Sequence, residues 1–386
     1  MASGAWLSTM ALTEPGAGSD LSRIRCRAIE RDGKWVITGE KIFISGGDQD
    51  MSDGVFHLVL ARTSDEGVKG LSLFACTSEL ADGTRNKVSV ARIEEKMGLH
   101  ASPTCQLVFD EAEAELIGKQ GQGLLAMFTM MNHARGDVAL QGVAHSARAF
   151  DVAQSYASER QQGRKGDGSP PSLLDHADVA RMVDRTDALA LGGRAITHLA
   201  FVTMEKGDNP DLVEWLTPIA KVYCTDAGIE ATNLGIQVLG GYGYLREYRL
   251  DQTARDVRIS AIYEGANGIH ERMLATRLFK SPSPDAFERF IKDEIDRSLS
   301  ANLADLLELW NGARQTLLSA SDPTPAAHDF MGLTSLVLLE ALFARMAAKA
   351  DLHPESDRIK RIAATAMRDH AITAKMLAER VAVLTT

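Results

Sequence analysis

The residue best suited to chemistry is Glu264, in the run Ile262-Tyr263-Glu264-Gly265-Ala266-Asn267-Gly268-Ile269-His270. It is a lone carboxylate in an apolar setting of Ile259, Ala261, Ile262 and Tyr263, followed by a glycine and the start of a new helix. Partial desolvation raises a carboxyl pKa, which suits a base that must take a weakly acidic proton. The plainer alternative is an acid favoured at a helix N-terminus by the dipole.

Three further segments could contact a ligand. In Met10-Ala11-Leu12-Thr13-Glu14-Pro15-Gly16-Ala17-Gly18-Ser19-Asp20, the glycines and proline let the backbone turn sharply and approach a flat molecule. Thr13 and Ser19 put hydroxyls on that turn, although a bare turn needs no ligand. No Gly-Lys-Ser/Thr follows, so it is not a P-loop, and no G-x-G-x-x-G joins a strand to a helix. In Lys41-Ile42-Phe43-Ile44-Ser45-Gly46-Gly47, the aromatic and the hydroxyl are two residues apart and share a strand face, as an ordinary strand end also allows. Gln237-Val238-Leu239-Gly240-Gly241-Tyr242-Gly243-Tyr244 has more glycines than a helix stop requires, which leaves a ligand loop and a plain connection both open. Arg135 and Arg160, in a long helical region, could hold an anion or simply be solvated.

The elements that must position these groups change character along the chain. Residues 34–45, 55–61, 70–76, 87–93 and 104–109 alternate, are rich in β-branched and aromatic types, and are separated by turn signals such as Asp32-Gly33 and Asp82-Gly83. They predict a small antiparallel β-domain, sandwich or barrel. Beyond Gly118, apolar residues recur at helical spacing. Residues 119–160, 173–205, 211–239 and 262–279 predict four helices of a bundle, with a Gly/Pro-rich loop at 163–171. Ser281-Pro282-Ser283-Pro284 marks a boundary, after which 285–320, 325–350 and 355–383 are helical again. The fold class is therefore α+β: a β-domain at 1–116, a four-helix-bundle domain at 117–280 carrying Glu264, and a helical extension at 281–386.

Composition narrows the function. The chain has 386 residues, too many for one core of ordinary size, with 45% hydrophobic and 24% charged residues, as in a folded globular protein. There are 52 acids to 42 bases, a net charge of -10, which argues against general nucleic-acid affinity. The stretch after residue 280 has 15 acids and 12 bases, so it is not a basic tail. No run approaches the ~18 apolar residues of a membrane span, and the N-terminus does not resemble a secretion signal. Cys26, Cys76, Cys105 and Cys224 are widely spaced without a C-x-x-C pair, which fits a reducing, cytoplasmic compartment and no metal. His270-Glu271 lacks a second histidine at zinc-binding spacing.

Taken in order, these segments resemble the acyl-CoA dehydrogenase family of flavoproteins over roughly residues 3–280. The similarity is carried by the Thr13–Asp20 turn, the Phe43–Gly47 strand end, the Glu159-Arg160 pair, the Gln237–Tyr244 loop and the run from Arg255-Asp256 to Ile262-Tyr263-Glu264-Gly265. The residues beyond 280 resemble the family's C-terminally extended branch. The family's N-terminal helical domain has no counterpart here, so the chain is expected to be a fragment, a downstream start or a truncated form.

The resemblance implies an FAD-dependent α,β-dehydrogenation of an acyl-CoA thioester to the 2-enoyl-CoA. Glu264 would remove the α-proton while the β-hydrogen leaves as hydride to flavin N5. The Glu264 backbone N–H would stabilise the thioester oxygen, helped by a flavin ribityl hydroxyl. Met10, Leu12, Thr13, Gly18 and Ser19 would line the flavin, with Phe43 and Ser45 covering its other side. Phe43 stands where the family often has tryptophan. Arg160 would neutralise the FAD pyrophosphate, and Gln237, Gly240 and Gly241 would meet the adenosine across a subunit interface. Ala266 and Gly268 match further cofactor positions, where the family often has threonine and glutamine. Asn132, Arg135 and Ser19 would hold the CoA moiety, with Asn132 where aspartate is common. Tyr263, Glu264 and Gly265 would border the acyl chain. A homodimer or homotetramer and an electron-transferring flavoprotein acceptor would follow. The alternatives are a non-catalytic flavin-binding relative of the alkylation-response, DNA-associated type, a nitroalkane-oxidising relative, and an inactive truncated form. The acidic extension counts against the first, and a glutamate where an aspartate base belongs counts against the second.

Overall fold

Alternating β-branched and aromatic residues pair into seven strands in the computed structural model, which describes residues 3–297 and 300–385. The strands are β1 (Trp6–Ala11), β2 (Arg27–Arg31), β3 (Lys34–Ser45), β4 (Gly54–Arg62), β5 (Leu71–Thr77), β6 (Val88–Ile93) and β7 (Thr104–Ile117). Pairings β4–β5, β5–β7, β7–β3, β3–β2 and β2–β4 close the sheet on itself, with β1 added beside β4 and β6 beside β7. The antiparallel β-domain expected from the sequence is present, with two parallel pairings added to it. β1 runs parallel to β4 over its whole length, from Trp6 against Gly54 to Ala11 against Val59, and β2 meets β4 in parallel at Arg27 and Arg62.

This first compact unit extends to His133. Its core holds Ile24, Ile37, Val59, Leu60, Phe74, Leu107 and Phe109. A charged pair lies inside it: Lys41 is fully buried, and Glu14 is 6% exposed. The ammonium donates to Glu14 Oε1 at 2.9 Å and to the carbonyls of Leu12 and Leu60 at 2.8 and 2.7 Å. Glu14 in turn accepts from the backbone N–H groups of Arg25 and Cys26 at 2.7 and 3.0 Å.

The second unit begins at Ala134. Its long helices are α1 (Gly123–Glu159, which starts earlier in the chain), α2 (Ala177–Lys206) and α3 (Pro210–Leu239). Asn209 caps α3 by accepting from the Leu212 N–H at 3.1 Å, with Pro210 at the first helical position, where its missing N–H costs nothing. The fourth bundle helix expected over 262–279 is not continuous. Within that range only α5 (Asn267–Ala275) is α-helical among the described residues; it follows α4 (Leu250–Val257), a 3-10 turn at Arg258–Ala261 and an irregular loop at Ile262–Ala266. Positive φ at Glu264 and Gly265 breaks the helix there.

After α5 come α6 (Ser283–Arg297), α7 (Leu303–Ser319), α8 (Ala327–Lys349) and α9 (Ser356–Leu384). These pack against the bundle through one continuous core. Trp215 of α3, Phe287 of α6 and Trp310 of α7 have ring centroids 5.3–6.4 Å apart, and Phe330 of α8 stacks on Trp310 at 5.8 Å. The segment Thr324–Leu352 corrects the reading that no stretch is long and apolar enough to cross a membrane. It passes by length and composition, with a mean hydropathy of 1.6, but 72% of that window is buried inside the protein. Its apolarity is that of a core helix.

Removing one partner of a buried ion pair leaves an uncompensated charge. Lys41→Met is therefore expected to destabilise the protein by about 3–5 kcal/mol, to be measured by urea denaturation. A cost below about 1 kcal/mol would show that Glu14 is satisfied without its cation.

Candidate active site

In the first unit, two of the segments singled out in the sequence meet. The Ile42 N–H donates to the Thr13 carbonyl at 2.9 Å, and the Lys41 ammonium holds the Leu12 carbonyl one residue earlier. Between Lys41 and Ile44 the β3–β7 register shifts, so Ile42 and Phe43 bulge out opposite Gln106. A bulge re-aims a side chain that regular pleating would point elsewhere. Phe43 has φ +60° and is 62% exposed, an unusual placement for a large aromatic. Met10, Leu12 and Thr13 lie half-buried at the end of β1 and the start of the turn, whereas Gly18, Ser19 and Ser45 are exposed. A side chain added at Gly16 or Gly18 would meet no atom within 4 Å. An exposed aromatic, exposed hydroxyls and an open glycine turn suit a flat ligand carrying hydroxyls.

The second unit positions Glu264. Its backbone is left-handed at φ +54°, and Gly265 follows at φ +92°. Buried side chains fix the carbonyls of both residues. His270 Nε2 donates to Glu264 O at 3.1 Å, and Lys221 Nζ donates to Gly265 O at 2.8 Å. Lys221 also donates to Asn267 Oδ1 at 2.7 Å, and Asn267 Nδ2 donates to Thr225 Oγ1 and Asp226 Oδ1 at 3.0 and 2.8 Å. Tyr263 Oη donates to Gln141 Oε1 on α1.

Electrostatics follow from this burial. Desolvation holds the Glu264 carboxyl above its ordinary range, while the charges of Arg135 and Lys221 pull the other way. Burial also lowers Lys221 to about 8, and His270 to about 4, with the Arg135 and Lys221 charges adding to the histidine's shift. His270 is therefore neutral at pH 7, with its proton on Nε2. Its buried Nδ1 has no partner among the described residues. Arg135 is 8% exposed on α1, whereas Asn132 is exposed one turn before it. Ala266 caps α5 and Gly268 lies exposed in its first turn.

A second group lies at the end of α1. The Arg160 guanidinium is 5.9 Å from the centroid of the Tyr242 ring, and Tyr156, Tyr242 and Tyr248 lie 5.8–6.1 Å apart. Arg148, Asp151, Ser155, Tyr156, Arg160 and Tyr248 are among the residues around an open cleft of about 530 Å³. The loop carrying Tyr242 is fixed by Gly243, where a Cβ would fall 2.2 Å from the Ile236 carbonyl. Gln237, Gly240 and Gly241 are exposed, and neither of these two glycines has an atom within 4 Å of where a Cβ would stand.

Residues 9–112 match the acyl-CoA dehydrogenase middle domain, and residues 121–279 match the acyl-CoA dehydrogenase C-terminal domain. A 3-methylmercaptopropionyl-CoA dehydrogenase of Ruegeria pomeroyi is 42% identical over 71% of this chain and 50% of its own length. An acyl-CoA dehydrogenase of Bacillus subtilis is 31% identical over 72% of this chain and 70% of its own. The chain belongs to the acyl-CoA dehydrogenase family. This family member spans about half the length of several curated relatives that it matches. The crystal structure of an acyl-CoA dehydrogenase complexed with FAD from Bacillus anthracis superposes with a TM-score of 0.79 at 19% identity, covering 98% of this chain and 69% of that one. At that identity the likeness speaks for the fold, which includes the helices after 280.

Sequence reading of this acyl-CoA dehydrogenase family member missed Lys221 and His270 as neighbours of Glu264. Lys221 left one signal, a lone cation among Ile219, Ala220, Val222 and Cys224 in an apolar helix, with Thr225 and Asp226 one turn on. His270 was weighed only as a metal ligand. Gly265→Ala tests the loop geometry. The alanine must adopt φ +92°, and its Cβ would fall 2.7 Å from His270 Nε2. The expected cost is about 1–3 kcal/mol, seen as a lowered thermal midpoint. An unchanged midpoint would mean that the loop can relax without strain.

Proposed function

We propose that this chain carries the flavin and base machinery of an FAD-dependent acyl-CoA dehydrogenase that converts an acyl-CoA to its 2-enoyl-CoA. The observation that supports this reading most is Glu264, a half-buried carboxyl raised in pKa by desolvation and fixed on a left-handed backbone. An α-proton beside a thioester is weakly acidic, and a carboxylate held away from water is a better base for it than a solvated one. Glu264 would accept this proton on a carboxylate oxygen. The backbone N–H of the same residue has no acceptor among the described residues, which suits it to stabilise the charge developing on the thioester oxygen. Arg135, buried beside it, would hold part of the CoA moiety with Asn132 and Ser19. Tyr263 and Gly265 would border the acyl chain.

The residues present suit FAD. The exposed Phe43 ring, the Thr13, Ser19 and Ser45 hydroxyls and the open Gly18 turn fit a flat polyhydroxylated group, together with Met10 and Leu12. Arg160 beside its open cleft fits a pyrophosphate, and Gln237, Gly240 and Gly241 fit an adenosine, with Ala266 and Gly268 as further contacts. Bound there, the flavin would supply the acceptor for the β-hydride. A homodimer or homotetramer and an electron-transferring flavoprotein as acceptor belong to the same proposal, as does work in the cytoplasm. Among the substrates named for relatives, 3-methylmercaptopropionyl-CoA and butyryl-CoA are the first to test, as short acyl thioesters.

The purified protein is expected to be yellow and to bleach anaerobically with one of these thioesters. Glu264→Gln should abolish bleaching yet keep FAD; a colourless protein that takes up no FAD would sink the reading. The bleaching rate should fall as pH drops through the raised Glu264 pKa, because the protonated acid cannot accept a proton. That acid limb should lie above the ordinary glutamate value of 4.5. Arg160→Ala should weaken FAD retention more than CoA binding, with both read by equilibrium titration; the reverse ranking would contradict its assignment.

A further inference from the structure

The Lys221 ammonium on α3 is hydrogen-bonded to the loop that carries Glu264. Lys221 is fully buried, and it donates to the Gly265 carbonyl at 2.8 Å and to Asn267 Oδ1 at 2.7 Å. Among the described residues, no carboxylate oxygen lies within 4 Å of Nζ. A buried cation without a contacting counter-ion is costly, and hydrogen bonding to a neutral carbonyl and an amide only partly offsets that cost. A leucine or methionine would fill the same apolar helix face without it. Asn267 extends the clamp, since it joins Lys221, Thr225 and Asp226 on α3 to the first residue of α5.

We propose that Lys221 is a positioning residue. It ties the Glu264–Gly265 backbone to α3, aims the Glu264 carboxyl, and keeps a positive charge behind it. The positioning of the loop stands on the hydrogen bonds alone, whereas the consequence for proton transfer rests on Glu264 being the base. The charged groups around the pair are Arg135 from α1, Lys221 and Asp226 from α3, and Arg277 after α5; His270 on α5 is neutral. Beyond Asp226 stand Glu271 on α5 and His328 on α8. Lys221 touches the loop backbone through a charge, at the Gly265 carbonyl. Its lowered pKa, about 8, fits an ammonium held in place by geometry at the expense of solvation.

The test compares Lys221→Met and Lys221→Arg with the wild-type FAD-loaded protein in two measurements. The first is amide hydrogen exchange over residues 262–270, followed by mass spectrometry. Exchange should rise roughly tenfold in Lys221→Met, the equivalent of one lost hydrogen bond, and return most of the way in Lys221→Arg. Exchange over the β-strands should not change. The second is the anaerobic flavin-reduction rate with butyryl-CoA and 3-methylmercaptopropionyl-CoA as a function of pH. The rate should fall about a hundredfold in Lys221→Met, as for a misplaced catalytic group, with FAD retained and the acid limb moved to higher pH because a nearby positive charge is gone. Unchanged exchange in folded Lys221→Met overturns the proposal, as does faster exchange with the rate and acid limb unmoved. If Lys221→Met does not fold, Asn267→Ala removes one arm of the clamp and must shift exchange in the same direction. If the wild-type protein bleaches with no thioester, the dehydrogenase reading fails, and the exchange measurement still decides whether Lys221 holds the loop.

Discussion

A glutamate at φ +54° followed by a glycine at φ +92° is a backbone that local preference alone would not adopt. Such strain costs of order 1–3 kcal/mol and persists only where the surroundings over-determine it. Here they do, through hydrogen bonds to both carbonyls from side chains that are themselves buried. A hydrogen bond from a charged donor contributes about 1.5–3 kcal/mol, so the Lys221 bond and the strain are of the same size. The loop is therefore held by a balance in which a single bond matters. Burial of the carboxyl raises its pKa, while the Lys221 charge that helps to fix the loop pulls the other way, so one lysine bears on both conformation and chemistry at Glu264.

The β-unit solves a similar problem with a similar part. Lys41, fully buried, holds the Leu12 carbonyl at the entrance to the glycine turn, as Lys221 holds Gly265. The two lysines differ in their counter-charge. Lys41 touches Glu14, and that carboxylate is spent on two backbone N–H groups, so the pair is a closed structural device with no charge left over. Among the described residues, Lys221 touches only neutral oxygens. Its charge interacts most with Asp226 on the same helix, and it also reaches Glu264. One lysine serves shape alone; the other is placed to affect an ionisation as well.

Much of this was legible in the sequence, for physical reasons. The long helices α1, α2 and α3 show because apolar spacing over thirty residues overwhelms local noise. Strands β3 to β7 show because they are runs rich in β-branched and aromatic residues bounded by turn signals, even though β4 and β5 are buried nearly throughout and not alternately. β1 and β2 do not, because β2 buries only Ala28 and β1 finds its partner in parallel far along the chain. The continuous helix expected over 262–279 fails at Glu264, where tertiary hydrogen bonds impose a conformation that propensity disfavours. Propensity scales cannot report this, since the stabilising groups are Lys221 and His270, one of them more than forty residues away. Glu264 itself was found from its apolar neighbours, and its raised pKa agrees with them.

The helices after 280 raise a question that composition could not answer: whether they are appended to the bundle or part of it. Two contacts bear on this, and their sizes decide between them. Glu271, on the helix that follows the Glu264 loop, pairs with His328 at 2.9 Å, but the histidine side chain is 73% exposed, and ion pairs this wet contribute about 0–1 kcal/mol. The apolar contacts are far larger. Leu274, Leu278 and Phe279 share one buried cluster with Phe330, Leu333 and Trp310, and Phe279 meets Phe330 edge-on at 5.4 Å. At about 1.5–3 kcal/mol for each fully buried large side chain, that cluster holds α5 and the turn after it against α7 and α8 far more firmly than the ion pair does. The helix behind the proposed base is thus braced on one side by the bundle helix carrying Lys221 and on the other by the extension. Removing the extension would expose Leu274, Leu278 and Phe279 to water on the side they now pack against α7 and α8, and α5 behind the Glu264 loop would lose that support.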